Sequence, residues 1–167
     1  MEGYRRLSPE LVIVEARDVD FADLLAGASP DAAPDTGGIE VAPPEVMQML
    51  RALAERIRPQ LAPSAWMIVE ERRVVGLCSL VREPEDGIIT IGYGVAPEFW
   101  GGRVATRAVA KLIEWARSDP RVKALAAETA ADNIASQRVL ENNAFVRTGA
   151  RVDEEDGQLI CWRIATS

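Results

Sequence analysis

With 167 residues, 48% of them hydrophobic, the chain can bury one sizeable core but does not divide comfortably into two, so a single domain over residues 1–167 is expected. A formal charge of −7, from 19 basic and 26 acidic residues, disfavours nucleic acid as a partner and suits a cationic one, although the same acidity also serves plain solubility. The absence of histidine excludes imidazole base catalysis, a Ser-His-Asp triad and His-ligated zinc, leaving carboxylate, tyrosine, lysine or relayed water as general base.

In chain order, the N-terminal MEGYRRLSPE lacks the apolar run of a signal peptide, and no stretch of eighteen uncharged apolar residues follows. A cytoplasmic protein without a membrane partner is therefore expected. Residues 11–15 are β-branched and read as a strand, and Asp18 is placed to cap a helix through Phe21, Leu24 and Leu25. Residues 28–44 (ASPDAAPDTGGIEVAPP) have turn chemistry and no period, and read as a loop. From 45 to 58, Val46, Met49, Leu50, Leu53 and Ile57 recur at helical spacing and are expected in the core. Strands at 66–70, 74–81 and 88–95 form an antiparallel meander. A helix at 102–117 then leads to a strand at 122–129, a strand-helix-strand unit whose strands should be parallel. A helix at 133–142 precedes a closing hairpin of strands 146–152 and 158–164. Cys78 and Cys161 lie in separate strand segments and read as reduced core thiols. Trp66, Trp115 and Trp162 read as packing residues, while Trp100, directly before two glycines, is placed to flank a ligand.

The segment richest in chemistry is residues 92–108, GYGVAPEFWGGRVATRA. A strand ends at Val95, Pro97 turns the chain, and Gly101 and Gly102 open a helix. Backbone N–H groups at such a helix start, unobstructed by side chains, suit a pyrophosphate, although glycine also starts helices for turn geometry alone. A dinucleotide-binding Rossmann unit is disfavoured, because the full Gly-x-Gly-x-x-Gly spacing is absent and the preceding strands look antiparallel.

The strand, the Pro-Glu-Phe-Trp-Gly turn, the helix with Ala105-Thr106, and then Glu128-Thr129, Asn133, Ser136, Arg138 and Ala144-Phe145 together resemble a GNAT-superfamily N-acetyltransferase of the ribosomal-protein alanine acetyltransferase (RimJ/RimL) type. The resemblance implies an α/β fold: a central, mostly antiparallel mixed sheet (α+β), one parallel strand pair that splays apart, and flanking helices. It implies acetyl-CoA as co-substrate, with no metal, and an amine acceptor, either a protein N-terminus or a small molecule. By that likeness pantetheine pairs with backbone near Val95, and the pyrophosphate rests on the N–H groups of Gly101, Gly102, Arg103, Val104, Ala105 and Thr106 beside Trp100. Asn133 meets the pantetheine arm, Ser136 and Arg138 the far end of the cofactor, and an N–H near Val95 steadies the oxyanion.

Two positions depart from the family pattern. Arg103 stands where a second loop glycine is expected; it either reinforces phosphate binding by charge or crowds the pyrophosphate with its Cβ, and a helical φ there would tolerate it. Leu140 stands where many relatives carry the tyrosine that protonates the leaving thiolate; Ser136 is the nearest substitute, or simply bonds its own helix turn. Glu128 matches the glutamate that accepts the amine proton in some relatives, and burial would raise its pKa; the alternative is an arginine-paired strand residue. Tyr93 and Glu98 are second choices as base. The competing reading is a non-catalytic acyl-CoA-binding or sensing module. Acceptor identity and oligomeric state, a homodimer included, stay open at the level of sequence.

Overall fold

Residues 10–167 are described by the computed structural model, so the N-terminal segment read above lies, through residue 9, outside the described residues. The elements follow in order as β1 (Leu11–Glu15), α1 (Asp18–Leu25), α2 (Pro44–Ile57), β2 (Ala65–Glu70), β3 (Arg73–Leu80), β4 (Ile88–Val95), α3 (Val104–Ser118), β5 (Ala124–Ala130), α4 (Ile134–Asn142), β6 (Val146–Asp153) and β7 (Gly157–Ala165). Among the described residues they form one seven-stranded sheet in the order β1-β2-β3-β4-β5-β7-β6. Every neighbouring pair is antiparallel except β4 and β5, the two strands joined by the α3 crossover. The mixed, mostly antiparallel α/β architecture thus matches the sequence reading. No helix among the described residues is long and apolar enough to cross a membrane.

The central strands are apolar on both faces because both faces are covered. In β2 (AWMIVE), Trp66 and Ile68 join one cluster with Val109, Leu112 and Ile113 of α3, while Met67 and Val69 join another with Phe21 of α1 and Met47 of α2. Full burial of a side chain of this class stabilises by about 1.5–3 kcal/mol, so the two clusters hold the helices on opposite sides of the sheet. Trp66 meets Trp115 edge-on with ring centroids 4.8 Å apart, which fixes α3 over β2. Close approach of β3 and β4 requires Gly76, where a Cβ would lie 2.4 Å from the Gly94 carbonyl oxygen.

Three expectations are corrected. Asp18 does not cap α1: Arg17 holds the cap position, its N–H donates to Asp20 at 2.8 Å, and Asp18 instead takes a two-pronged bond from Arg51 of α2 at 2.6 and 2.8 Å. The hydrogen bonds from Arg51 hold the Asp18 carboxyl below its ordinary value. On α2, Met47, Ala54 and Ile57 are buried, whereas Val46 and Met49 are exposed. The apolar stripe is wider than the surface it covers, because the helix packs over the sheet only on its Met47–Ala54–Ile57 side. Finally, α3 begins at Val104 after a single 3-10 turn at Pro97–Phe99, two residues later than expected. Cys78 is buried, with its thiol pushed up to about 12 by burial, and Cys161 is half-buried; both are free.

Candidate active site

The parallel ladder between β4 and β5 runs from Ile88 opposite Ala124 to Ile91 opposite Ala127 and stops there. Beyond that point β4 continues to Val95 paired only with β3, and β5 continues to Ala130 paired only with β7. The Thr90 carbonyl accepts from Val81 N–H, and Ala96 N–H donates to the Val75 carbonyl. Even-numbered positions of β4 therefore turn their backbone groups to β3, and by strand alternation Tyr93 and Val95 turn theirs into the gap. The split is a place where an extended ligand could complete the ladder.

On the α3 side the gap opens into a cavity of about 680 Å³. Tyr93, Val95, Trp100, Gly101, Arg103, Val104, Ala105, Thr106, Asn133, Ser136 and Arg138 line it, so these sequence candidates come together. Gly102 is the exception: it lies beside the wall, its carbonyl accepting from Arg107 Nη2 at 3.1 Å. Among the described residues, no N–H from Gly101 to Thr106 donates to a backbone carbonyl. These free donors at the start of a fifteen-residue helix provide the partial positive charge that suits an anion. Arg103 sits at φ 57°, ψ 24°, in the left-handed region rather than the helical one expected. That conformation costs a non-glycine residue about 1–2 kcal/mol, so the glycine of the family pattern is missed on steric grounds as well as by identity.

Across the cavity, Asn133 caps α4 by accepting from Ser136 N–H at 3.1 Å. The Ser136 hydroxyl does not bond its own helix; its Oγ lies 2.9 Å from Tyr93 Oη, which also donates to the Ser136 carbonyl at 3.2 Å. Burial pushes the Tyr93 phenol up to about 12, against a smaller opposing effect of the Ser136 bond, so it stays protonated at neutral pH and is no general base. Leu140, where the resemblance implied a tyrosine, is fully buried in the core and reaches no cleft. The Trp100 indole N–H donates to the Val95 carbonyl at 2.8 Å, and the residue is 71% exposed.

The other face of the split differs. Glu128 follows Ala127, the last ladder residue of β5, and alternation turns its side chain away from α3. It accepts from Arg82, just beyond β3, and from Arg151 of β6. These bonds, Arg151 first, hold the carboxyl below its ordinary value despite partial burial, which reverses the upward shift expected from sequence. Glu128, Arg82, Arg151, Arg163 and Thr90 share a small cavity of about 240 Å³, separate from the one on the α3 side. Sequence reasoning missed Arg82 and Arg151, which lie 46 and 23 positions from Glu128 and carry no local signal.

On this same face a third cavity, about 740 Å³, lies between β3, β4, α2 and the chain before α2. Tyr93, Gly94, Val95 and Trp100 line both it and the α3-side cavity, so the two large clefts meet at the end of β4. The end of the loop read at 28–44 and the helix after it supply part of its lining. No group of three or more Cys, Asp or Glu suited to a metal ion occurs among the described residues.

Comparison with known proteins agrees with this geometry. Residues 10–146 match the model of the acetyltransferase (GNAT) domain. An uncharacterized N-acetyltransferase, p20, of Bacillus licheniformis is 27% identical over 119 residues, which cover 70% of this chain and 66% of that protein. The chain thus spans just under two thirds of the length of the curated relative it matches. A chimera built on the spermidine N-acetyltransferase SpeG of Vibrio cholerae superposes with a TM-score of 0.70 at 15% identity, covering 93% of this chain and 95% of that one. An aminoglycoside acetyltransferase bound to coenzyme A gives 0.67 at 18% identity, with 93% and 95% covered. The ribosomal-protein acetyltransferase RimL, also bound to coenzyme A, gives 0.66 at 19% identity, with 95% of each chain covered. At these identities the likeness is one of fold.

Proposed function

Because the chain belongs to the acetyltransferase (GNAT) family, we propose that it transfers the acetyl group of acetyl-CoA to a primary amine. The observation that carries this reading is the parting of β4 and β5 after Ile91 and Ala127, which opens a slot leading to the unpaired N–H groups at the start of α3. Coenzyme A in two of the fold neighbours supports the choice of co-substrate.

In this reading the pantetheine arm completes the ladder at Tyr93 and Val95 once the Trp100 indole releases the Val95 carbonyl. The pyrophosphate takes the N–H groups of Gly101 to Thr106, with Arg103 and Arg138 adding positive charge at the cleft. The neutral amine enters from the opposite face and attacks the thioester carbon. A Val95 N–H donates to the oxygen that becomes negative in the tetrahedral intermediate. As the carbon–sulfur bond breaks, the electron pair leaves on sulfur, and the Tyr93 hydroxyl, oriented by Ser136, donates a hydrogen bond to it. Tyr93 thereby fills the role left open at Leu140. The proton lost by nitrogen reaches sulfur through water, and the products are an amide and free coenzyme A thiol. Glu128, tied to Arg151 and Arg82 in its own small cavity, is assigned a cross-strand tie rather than the base.

A turnover assay that follows thiol release from acetyl-CoA over a panel of primary amines tests the reading. Amine-dependent release supports it. Calorimetric binding of acetyl-CoA with no release from any amine would support a non-catalytic binding module instead, and no binding would remove both.

A further inference from the structure

The 740 Å³ cavity that meets the cofactor cleft at the end of β4 has an unusual distribution of polarity. Its walls are Leu77 and Val81 from β3 and its end, Val46 and Leu50 from α2, and Val41 and Pro43 from the chain before α2. Two lining residues carry charge, Glu40 and Glu98; both are acidic, both are exposed at the mouth, and neither makes an ion pair among the described residues. No lysine or arginine lines it. This contrasts with the smaller cavity around Glu128, where Arg82 and Arg151 neutralise the carboxylate and Arg163 adds a further positive charge.

Resting on the acetyltransferase reading above, we infer that the acceptor is a small primary amine carried on an apolar aliphatic or aromatic body, with no carboxylate or phosphate of its own. Three observations bear on this class. The volume falls within the roughly 300–1,000 Å³ range of small-molecule sites. The mostly apolar walls, in which Ser79 is the one serine or threonine, gain free energy by removing hydrocarbon from water and leave most hydroxyl groups of a polyhydroxylated amine without partners, at a cost that rejects such acceptors. Unpaired carboxylates at the mouth attract the ammonium form of the amine from solution and repel an anionic acceptor. Val46 belongs to this argument directly. It is exposed on α2 where the helical stripe led one to expect core, and it lines the cavity instead.

The test is a matched set of acceptors with acetyl-CoA: phenethylamine and hexylamine, phenylalanine as the carboxylate-bearing analogue, spermidine, an aminoglycoside and a short peptide. The expected result is kcat/KM for phenethylamine about tenfold or more above that for phenylalanine and the aminoglycoside. Val46→Lys, a surface change that leaves the core intact, should raise the phenethylamine KM about tenfold while acetyl-CoA KM stays within about twofold. Preference for spermidine, the aminoglycoside or the peptide would overturn the inference while leaving acetyl transfer standing. If no amine turns over, calorimetric titration of the same amines decides separately: phenethylamine binding that Val46→Lys abolishes keeps the inference and sinks the catalytic reading. Absence of phenethylamine binding would overturn the inference.

Discussion

On the face of the sheet that carries α3 and α4, Tyr93 is largely buried, its hydroxyl bonded to Ser136, and its phenol is pushed up to about 12. On the opposite face, directly past the end of the β4–β5 ladder, Glu128 is held by Arg151 and Arg82 and its carboxyl is pulled below the usual range. Burial moves one candidate group up and pairing moves the other down, so neither titrates near neutrality. What differs is availability. In the proposed reaction the phenol keeps a proton it can share with a leaving sulfur, whereas the carboxylate is ionised but already committed. The α3 face thus offers a protonated hydroxyl, and the opposite face a cross-strand tie.

The sharpest way to break this contrast is Tyr93→Phe. It should lower kcat about 10²-fold with little change in acetyl-CoA affinity, measured by steady-state turnover and calorimetry. Because the phenol titrates far above neutrality, the kcat/KM profile of wild type should show no step assignable to Tyr93 up to about pH 9. Glu128→Gln should cost about 1 kcal/mol or less in denaturant unfolding, since it strips the charge partner from Arg82 and Arg151, which are themselves about half exposed and screened by water, while kcat falls much less than in Tyr93→Phe. A loss of rate equal to that of Tyr93→Phe would restore Glu128 as the base.

The same pair gives a pH dependence. Since the folded pKa of Glu128 is depressed, its pairing contributes stability above the ordinary value of 4.5, and that contribution is lost as pH falls through the lower folded value. Thermal melts taken from neutral pH downward should show a shallower acid limb in Glu128→Gln than in wild type. The smallest effect is expected at the loop. Arg103→Gly removes left-handed strain of about 1–2 kcal/mol but frees the unfolded chain, so the melting point should rise only slightly, with acetyl-CoA affinity changed by less than about fivefold.

Much of this fold was legible from period and turn chemistry. Residues 88–95 alternate and end at a proline turn, and β4 occupies that span. The parallel pairing of β4 with β5 followed from the helix between them. That the residues of the α3-side cavity would come together was legible because they lie close together in sequence around one helix start and one cap. Less could be read where the outcome depends on distant segments. Val46 and Met49 fit the α2 stripe, yet which residues of a wide stripe are covered depends on the sheet beneath. Glu128 carried the family spacing, but its pKa is set by Arg82 and Arg151, brought in from other strands. The left-handed conformation of Arg103 was hidden because arginine rarely signals it, unlike the glycine it replaces.

The most direct test of the split as the cofactor slot is amide hydrogen exchange, residue by residue, with and without acetyl-CoA. Slowed exchange at Tyr93 and Val95 and across Gly101 to Thr106, with the amides around Glu128 unchanged, is the expected result. Acetyl-CoA binding that leaves those amides exchanging as before would contradict it.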